Sequence, residues 1–225
     1  MLVDLNADLG EGCATDDELI RIVTSANVAC GFHAGDDLTM AATCAAAAKN
    51  GVTIGAHIGY RDREGFGRRD LDLAPHVVRA ETVEQIRALQ RHGPVAYVKP
   101  HGALYHRASV DAQSAAAIVA GTAECGVGAM LAFPGSELAA AACDADLAAV
   151  DEGYADRGYA PDGTLVARGE PGALLDPEAA ARQAVSLVGR VASICVHGDS
   201  PDAVAIAGRV ADALRAAGVE LRAFA

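Results

Sequence analysis

Short apolar segments alternate with longer amphipathic segments along most of the chain. In residues 2–9 (LVDLNADL) the alternation is strict, because Leu5 and Ala7 fall on one face and Asn6 and Asp8 on the other. A period of two is typical of a β-strand. Apolar segments bounded by turn residues predict six further strands, over residues 27–31, 52–57, 95–98, 129–133, 147–150 and 193–196, and residues 219–224 are a candidate for an eighth.

Capping and stop signals predict helices between these strands. Residues 15–18 (TDDE) match a capping box, and the helix after the second strand is predicted to start at Asp36 and Asp37 and to end at Gly51. Further helices are predicted from Pro75 to Gly93, over residues 111–125, from Pro177, and from Ser200-Pro201 to Gly218, with a hairpin around the Pro161-Asp162-Gly163 turn.

The regular alternation of strands and helices predicts an α/β fold with a parallel sheet. Right-handed crossovers close about seven parallel strands most simply as a (β/α) barrel, and a doubly wound open sheet is the alternative. A chain of 225 residues with a hydrophobic fraction of 52% is expected to form one domain, residues 1–225. In a barrel, alternate residues of the first strand point inward, so Asp4, Asn6 and Asp8 would be buried, where unpaired carboxylates are costly and usually functional.

Charge and composition exclude several classes of protein. The 18 basic and 30 acidic residues give a net charge of −12, which argues against a nucleic-acid partner. No apolar segment approaches the roughly 18 residues of a membrane span. Acidic residues at positions 4 and 8 stand where a signal peptide needs a basic start and an apolar centre, so a cytoplasmic location is expected. The six cysteines include no CxxC pair and are predicted to be small buried hydrophobes.

Polar side chains that can carry chemistry cluster where the predicted strands end. Any one of them is more often structural than catalytic. Because the loops after parallel strands share one face of a barrel, five strand ends with histidine or acid predict a site there. The candidates are Asp4, Asn6, Asp8, Glu11, His33, Asp36, His57, Lys99, His101, Glu152, Asp156, Arg157, His197 and Asp199.

These residue types allow two kinds of chemistry, which spacing alone does not separate. Histidine, aspartate and asparagine suit a divalent metal ion that activates water. The same residues without a metal suit general acid–base hydrolysis, with Lys99 or an arginine stabilising an oxyanion. The sequence contains no GxxxxGK[ST], GxGxxG or GxSxG motif, so a nucleotide would need another binding element, such as the arginine-rich loop of residues 61–69.

Several long blocks resemble a known family. DLNADLGEG (4–12), SANVACGFHAGD (25–36), GAHIGYRDREGFGRR (55–69), VKPHGALYH (98–106), ADRGYAPDGTLVARGEPGA (155–173) and ICVHGDSPDAVAIA (194–207) are similar, in order, to the LamB/YcsF family. The resemblance implies an irregular barrel like those of glycoside hydrolases and deacetylases. It also implies the role of the A subunit of an ATP-dependent 5-oxoprolinase, which converts 5-oxo-L-proline (pyroglutamate) to L-glutamate with subunits B and C. Two places are shorter than the family pattern, between Gly12 and Asp16 and before Ile194.

The resemblance, taken with the strand ends, predicts that the catalytic residues are Asp8, His57, Lys99 and His101, with ATP as co-substrate, accompanied by Mg²⁺. Lys99, Arg68 and Arg69 would bind phosphate or stabilise an oxyanion. Asp8, His57 or His101 would be the general base that activates water. A bound metal, if present, would use Asp8, His33, His57 and His101. The alternatives are a metal-dependent saccharide hydrolase or deacetylase and a non-catalytic subunit. The remaining candidates, Asn6, Glu11, Asp36, Glu152, Asp156, Arg157, His197 and Asp199, together with His33 and the two arginines, are predicted to bind substrate or nucleotide.

Overall fold

The strands form a closed parallel barrel in the computed structural model, which describes residues 1–200 and 202–225. The barrel closes because the first strand pairs with both the second and the seventh, so the predicted barrel is confirmed and the open sheet is wrong. A short eighth strand extends the pairing at the start of the first. The strands are β1 (Leu2–Leu9), β2 (Ser25–Ala29), β3 (Thr53–Ile58), β4 (Tyr97–Pro100), β5 (Ala129–Ala132), β6 (Ala148–Tyr154), β7 (Ser193–Val196) and β8 (Glu220–Leu221).

Helices cover the outside of the barrel and bury their apolar faces against it. Two of them, over residues 102–110 and 137–144, are absent from the predicted pattern because each follows its strand after only a short turn. None of the described helices has the length and apolar character needed to cross a bilayer. The helices are α1 (Asp16–Leu19), α2 (Asp37–Asn50), α3 (Pro75–Gln90), α4 (Gly102–Val110), α5 (Ala112–Glu124), α6 (Glu137–Asp144), α7 (Pro177–Leu187) and α8 (Ala203–Ala216).

Most predicted caps are present, but the predicted capping box is wrong. Asp36 caps α2 by accepting the Thr39 N–H at 2.8 Å, and Gly51 ends that helix with a φ of 68°. Thr15 makes no side-chain cap, because its hydroxyl donates to the Gly198 carbonyl oxygen at 3.1 Å and ties the β1 exit to the β7 exit. The predicted Ser200-Pro201 cap includes a residue outside the described ones, and α8 begins at Ala203.

Three strands differ from their predicted limits in ways that matter for the site. β2 starts two residues early, and β4 and β6 continue through Lys99 and Glu152, which were predicted to lie in the loops. Hydrophobic pattern misses such extensions because the inward residues are polar and pair with one another across the barrel. The antiparallel bridge between Tyr159 and Leu165 confirms the predicted hairpin after β6.

The strand register places the inward polar residues in layers. Asp8 lies opposite Asn27 of β2, His57 lies opposite Lys99 of β4, and Asp4 lies opposite Ser193 of β7. All these side chains are buried, as predicted for Asp4, Asn6 and Asp8. The cysteines are free, and the prediction of burial holds for Cys30, Cys44 and Cys195 but not for the exposed Cys143 or the half-buried Cys13 and Cys125.

Candidate active site

A cavity of about 630 Å³ opens at the carboxyl ends of the strands. This is the face on which barrels of parallel strands carry their active sites, and the volume falls in the range typical of small-molecule sites. The charged and imidazole residues of its lining are Asp8, Glu11, His57, Arg68, Asp70, Lys99, His101, His106, Arg107, Arg157, Arg168, His197 and Asp199.

Lys99 lies at the centre of a buried ionic cluster. Its Nζ is 2.9 Å from Glu152 Oε1, 3.0 Å from Asp8 Oδ1 and 3.1 Å from Cys195 Sγ, and the side chain is 2% exposed. Burial alone would lower the pKa of Lys99, but these neighbours raise it well above its ordinary value. Lys99 is therefore an ammonium ion whose three protons already have acceptors, so it acts on a ligand through its charge.

Asp8 has one oxygen committed to this cluster and one turned toward the imidazoles. Oδ1 accepts from Lys99 and from the Asn27 amide at 2.8 Å, whereas Oδ2 is 3.4 Å from His57 Nε2 and 3.9 Å from His197 Nε2. Burial would raise the pKa of Asp8, but His57 and Lys99 hold it well below the usual value. Asp8 is thus an ionised carboxylate in the cavity with a free acceptor oxygen.

Amide and phenol groups fix the orientation of the acids. Asn6 donates to Glu152 at 3.1 Å and accepts from Asn27 at 2.7 Å, and the hydroxyls of Tyr105 and Tyr154 both donate to Glu152 Oε2, at 3.1 and 3.0 Å. Asn6 and Glu152 therefore lie behind the lining and hold the lining residues in place.

The hydrogen bonds of His57 and His101 define which ring nitrogens carry protons. His57 Nδ1 is 3.1 Å from the Lys99 carbonyl oxygen, and His101 Nε2 is 2.9 Å from the Phe66 carbonyl oxygen. A carbonyl oxygen only accepts, so each of these nitrogens is a donor. The other two nitrogens, His57 Nε2 and His101 Nδ1, face each other at 2.9 Å. In neutral rings these are two lone pairs in contact.

Glu11 and His33 complete this imidazole group. Glu11 Oε1 is 3.2 Å from His33 Nε2, 3.4 Å from His101 Nδ1 and 3.7 Å from His57 Nε2. The ring of His33 stacks on that of His101 with centroids 3.9 Å apart, and His33 Nδ1 is buried without a hydrogen-bond partner. Burial raises the pKa of Glu11 and lowers the pKa of His33 and His101. One ligand atom from each of Glu11, His33, His57 and His101 lies within 4.8 Å of the others, as metal ligands do.

The glycines of the loop after β3 make room for these rings. A Cβ on Gly59 would lie 2.6 Å from His33 Nδ1, and one on Gly67 would lie 2.8 Å from both His33 and His101. Phe66 adopts a positive φ of 54°, which directs its carbonyl oxygen at His101. Such backbone strain in a non-glycine residue is common at functional sites.

His197 forms a separate acid–imidazole pair on the other side of the cavity. Its Nδ1 is 2.9 Å from Asp156 Oδ1, and its backbone N–H donates to Asp156 Oδ2 at 2.8 Å. Burial would lower the pKa of His197, but Asp156 raises it; the same pairing, against burial, lowers the pKa of Asp156. Asp156 thus orients His197 with its Nε2 toward Asp8.

Arginines surround the cavity mouth. Asp199 binds Arg68 at 2.5 Å and Arg168 at 2.9 Å. Arg157 is buried and donates to the carbonyl oxygens of Ala173 and Val166, which secures the segment after β6.

Two predicted binding residues lie outside the cavity. Asp36 is an exposed helix cap, and Arg69 binds Asp62, whose carboxylate also accepts the Gly65 and Arg69 N–H groups and shapes the loop. The candidate site does not include these two residues. The other predicted residues meet at the cavity or directly behind it, and their roles remain predictions.

Several residues of this site were missed in the sequence. Asn27 is a polar residue inside an apolar strand, a signal that alternation could have revealed. Tyr105 and Tyr154 carry no such signal, because a tyrosine in an apolar segment is usually core. Arg107 and Arg168 come from a helix and a long loop with no local motif, and only the fold places them at the cavity.

The fold and the cavity define an α/β barrel protein with its candidate site at the carboxyl ends of the strands. The chain belongs to the LamB/YcsF family, whose model matches residues 3–225. A protein from Streptomyces griseus, named as the A subunit of 5-oxoprolinase, is 50% identical over 250 aligned positions, and one of the same name from Nocardia farcinica is 46% identical. Each alignment covers all of both chains.

Solved structures agree with this assignment. The lactam utilization protein from Thermus thermophilus is 38% identical, with full coverage of both chains and a TM-score of 0.92. A family 4 carbohydrate esterase from Streptomyces lividans, matched over 100% of this chain and 93% of its own, has a TM-score of 0.62 at 13% identity. At that identity the likeness shows a shared fold alone, and the predicted deacetylase-like barrel is confirmed.

Proposed function

We propose that this chain is the A subunit of an ATP-dependent 5-oxoprolinase, a hydrolase that opens the lactam of 5-oxo-L-proline to give L-glutamate while ATP is cleaved to ADP and phosphate. The observation that carries the proposal is the ionised Asp8 beside Lys99 and two imidazoles in a cavity, in a chain 50% identical to a protein named as the A subunit of 5-oxoprolinase. That name also supports a complex, in which subunits B and C would be the partners.

The reaction explains why ATP would be needed. An unstrained lactam carbonyl is a poor electrophile, and phosphorylation of its oxygen would make the carbonyl carbon open to attack by water. Phosphate groups require cations, and Arg68, Arg107 and Arg168 line the cavity mouth. ATP with Mg²⁺ is therefore proposed as the co-substrate, with its phosphates at this mouth and the lactam below them.

Asp8 is the residue best placed to activate the water. Its Oδ2 faces the cavity, whereas its Oδ1 is held by Lys99 and Asn27. Lys99 keeps Asp8 ionised, and a general base must be ionised to accept a proton. His57 Nε2 and His197 Nε2 lie 3.4 and 3.9 Å from Oδ2, and His197, which the carbonyl oxygens do not engage, would pass a proton to the departing lactam nitrogen. In this scheme Lys99 tunes Asp8 and does not bind the oxyanion directly, because its own protons are occupied.

The test is glutamate release from 5-oxoproline by the purified chain, with and without ATP and with and without subunits B and C. ATP-dependent release in the complete mixture is the expected result. Release that continues when this chain is replaced by its Asp8→Asn variant would overturn the assigned role of Asp8 and favour a non-catalytic subunit.

One observation favours a second candidate function. The grouping of Glu11 with three histidines suits a hydrolase that uses a divalent metal ion, such as a saccharide deacetylase. Release of acetate from an N-acetylated oligosaccharide, with no glutamate from 5-oxoproline in the complete mixture, would select this alternative.

A further inference from the structure

Two facing nitrogen lone pairs in a buried site need a cation between them. Because His57 Nδ1 and His101 Nε2 both donate to carbonyl oxygens, the neutral rings leave His57 Nε2 and His101 Nδ1 as acceptors 2.9 Å apart. Glu11 Oε1, a third acceptor, is 3.4 Å from His101 Nδ1 and 3.7 Å from His57 Nε2. No donor among the described side chains is positioned to satisfy all three, apart from the ring protons already used.

We propose that Glu11, His57 and His101 bind one divalent transition-metal ion through Oε1, Nε2 and Nδ1. Two imidazoles and one carboxylate are a usual ligand set for zinc. Metal–nitrogen bonds are about 2.0–2.1 Å, so two donors on one ion lie about 3 Å apart or slightly more, in keeping with the observed 2.9 and 3.4 Å. This inference does not depend on the proposed reaction.

The position of the group indicates a catalytic rather than a structural ion. All three ligands line the cavity, so a metal held by them keeps an open position for water or a carbonyl oxygen. His33 lies behind the lining, 3.2 Å from Glu11 Oε1, and acts as a positioning residue that orients the carboxylate. The sequence had suggested Asp8 as a ligand, but Glu11 is the carboxylate grouped with the three histidines.

A second possible group, Asp8 with Cys195 and His197, is a weaker choice. Cys195 Sγ lies 3.1 Å from the Lys99 ammonium, and Asp8 Oδ1 lies 3.0 Å from it. A cation placed there would be repelled by Lys99, whereas the recorded hydrogen bonds and ion pairs of Lys99 Nζ, among the described residues, do not include Glu11 or His101.

Metal binding is tested on the isolated chain, stripped with a chelator and titrated with Zn²⁺ by calorimetry, with metal content measured after dialysis. One Zn²⁺ per chain is expected. His57→Gln, His101→Gln and Glu11→Gln should each lower the affinity at least 100-fold, and His33→Gln about 10- to 100-fold with the stoichiometry kept. His76→Gln, on the exposed start of α3, is the matched control and should bind as the native chain does.

A second measurement separates ligand loss from misfolding. Co²⁺ bound to the native chain should give visible absorption bands that persist in His33→Gln and disappear in His101→Gln, while circular dichroism of both variants remains native. Failure of the native chain to retain Zn²⁺, or equal affinity in His101→Gln, would overturn the proposal and leave a shared proton between the two rings. Neither readout uses 5-oxoproline or ATP, so an inactive chain that binds zinc would count against the proposed function only.

Discussion

Asp4 and Asp8 lie on the same face of β1, four residues apart, but their surroundings shift their pKa values in opposite directions. Asp4 accepts hydrogen bonds from three neutral hydroxyls, those of Thr24, Ser25 and Ser193, and burial raises its pKa. Asp8 meets an ammonium ion and imidazoles, which against burial hold its pKa well below the ordinary value. The same residue type in the same strand becomes structural or reactive according to the charge of its neighbours.

The two layers around these aspartates differ in the same way. In the lower layer, formed by Asp4, Ser25 and Ser193, the carboxylate has neutral hydroxyl partners and all three side chains are buried. In the upper layer Lys99 links the carboxylates of Asp8 and Glu152, acceptors face each other without protons, and the cavity opens. Incomplete satisfaction of buried groups therefore distinguishes the site from the scaffold beneath it.

The largest loss of stability is expected from removing Lys99, the cation of the upper layer. Lys99→Met would leave Asp8 and Glu152 as two buried carboxylates without a counter-ion, which costs about 3–5 kcal/mol of unfolding free energy. Urea denaturation at pH 7 measures this loss, and glutamate release should also disappear. Lys49, on the exposed end of α2, is the other lysine of the chain, so Lys49→Met is the matched control and should leave both unchanged. A similar stability for both variants would show that the cluster does not depend on Lys99.

Asp8→Asn is expected to affect activity more than stability. The amide keeps the volume and one acceptor oxygen but cannot take a proton, so turnover should fall about 10²- to 10⁴-fold. The loss of hydrogen bonds to a charged group should cost about 1–3 kcal/mol. Glutamate release in the complete mixture and urea denaturation measure the two effects. Turnover within a factor of two of the native chain would remove Asp8 from the role of base.

Much of this contrast could be predicted from the sequence. Strict alternation in residues 2–9 places Asp4, Asn6 and Asp8 on one face, and repeated strand–helix order places that face inside a barrel. The pattern does not separate Asp4 from Asp8. Their partners come from β2, β3, β4 and β7, more than 15 residues away along the chain, and depend on the register between strands.

The grouping of ligand atoms was the least predictable feature. His33, His57 and His101 each end or follow a strand, so their convergence is expected from topology. The tautomers of His57 and His101 are not expected from topology, because they depend on the carbonyl oxygens of Lys99 and Phe66. The Phe66 carbonyl oxygen reaches His101 only because Phe66 has a positive φ. Arg69 is predicted to bind phosphate or an oxyanion because it belongs to the arginine-rich loop, but Asp62 of the same loop binds its side chain.

A smaller effect, dependent on pH, is expected at the Asp156–His197 pair. The raised pKa of His197 contributes stability that is present below about pH 6.5 and is lost as the pH rises through its folded-state pKa. The lowered pKa of Asp156 contributes stability that is lost as the pH falls below about 4. Asp8 Oδ2 lies 3.9 Å from His197 Nε2 and favours the charged form of His197, whereas Arg168 opposes that form.

Asp156→Asn should therefore lower the unfolding free energy most between about pH 4 and 6.5, by about 1–3 kcal/mol, and less at pH 9. Urea denaturation across this range measures the difference. Asp144→Asn, at the exposed end of α6, is the control and should show no such profile. A constant loss at all pH values would mean that His197 stays neutral in the folded chain.

The smallest effect is expected from Asp4→Asn, the counterpart of Asp8→Asn in the lower layer. The raised pKa means that folding disfavours the Asp4 carboxylate, so the native chain gains stability at low pH and loses it as the pH rises through the folded-state pKa of Asp4. An amide has no charge to lose, its one oxygen can accept from Thr24 and Ser25 as Asp4 Oδ1 does, and its NH2 group, in the place of Oδ2, can donate to the Ser193 hydroxyl. At pH 7 the variant should differ from the native chain by about 1 kcal/mol or less, with turnover unchanged within twofold, and the native chain should be relatively more stable at pH 4 than at pH 7. Urea denaturation at the two pH values tests the sign. A variant that loses more at pH 7 than at pH 4 would show that Asp4 is an ionised anchor, and the two layers would then differ in geometry but not in charge.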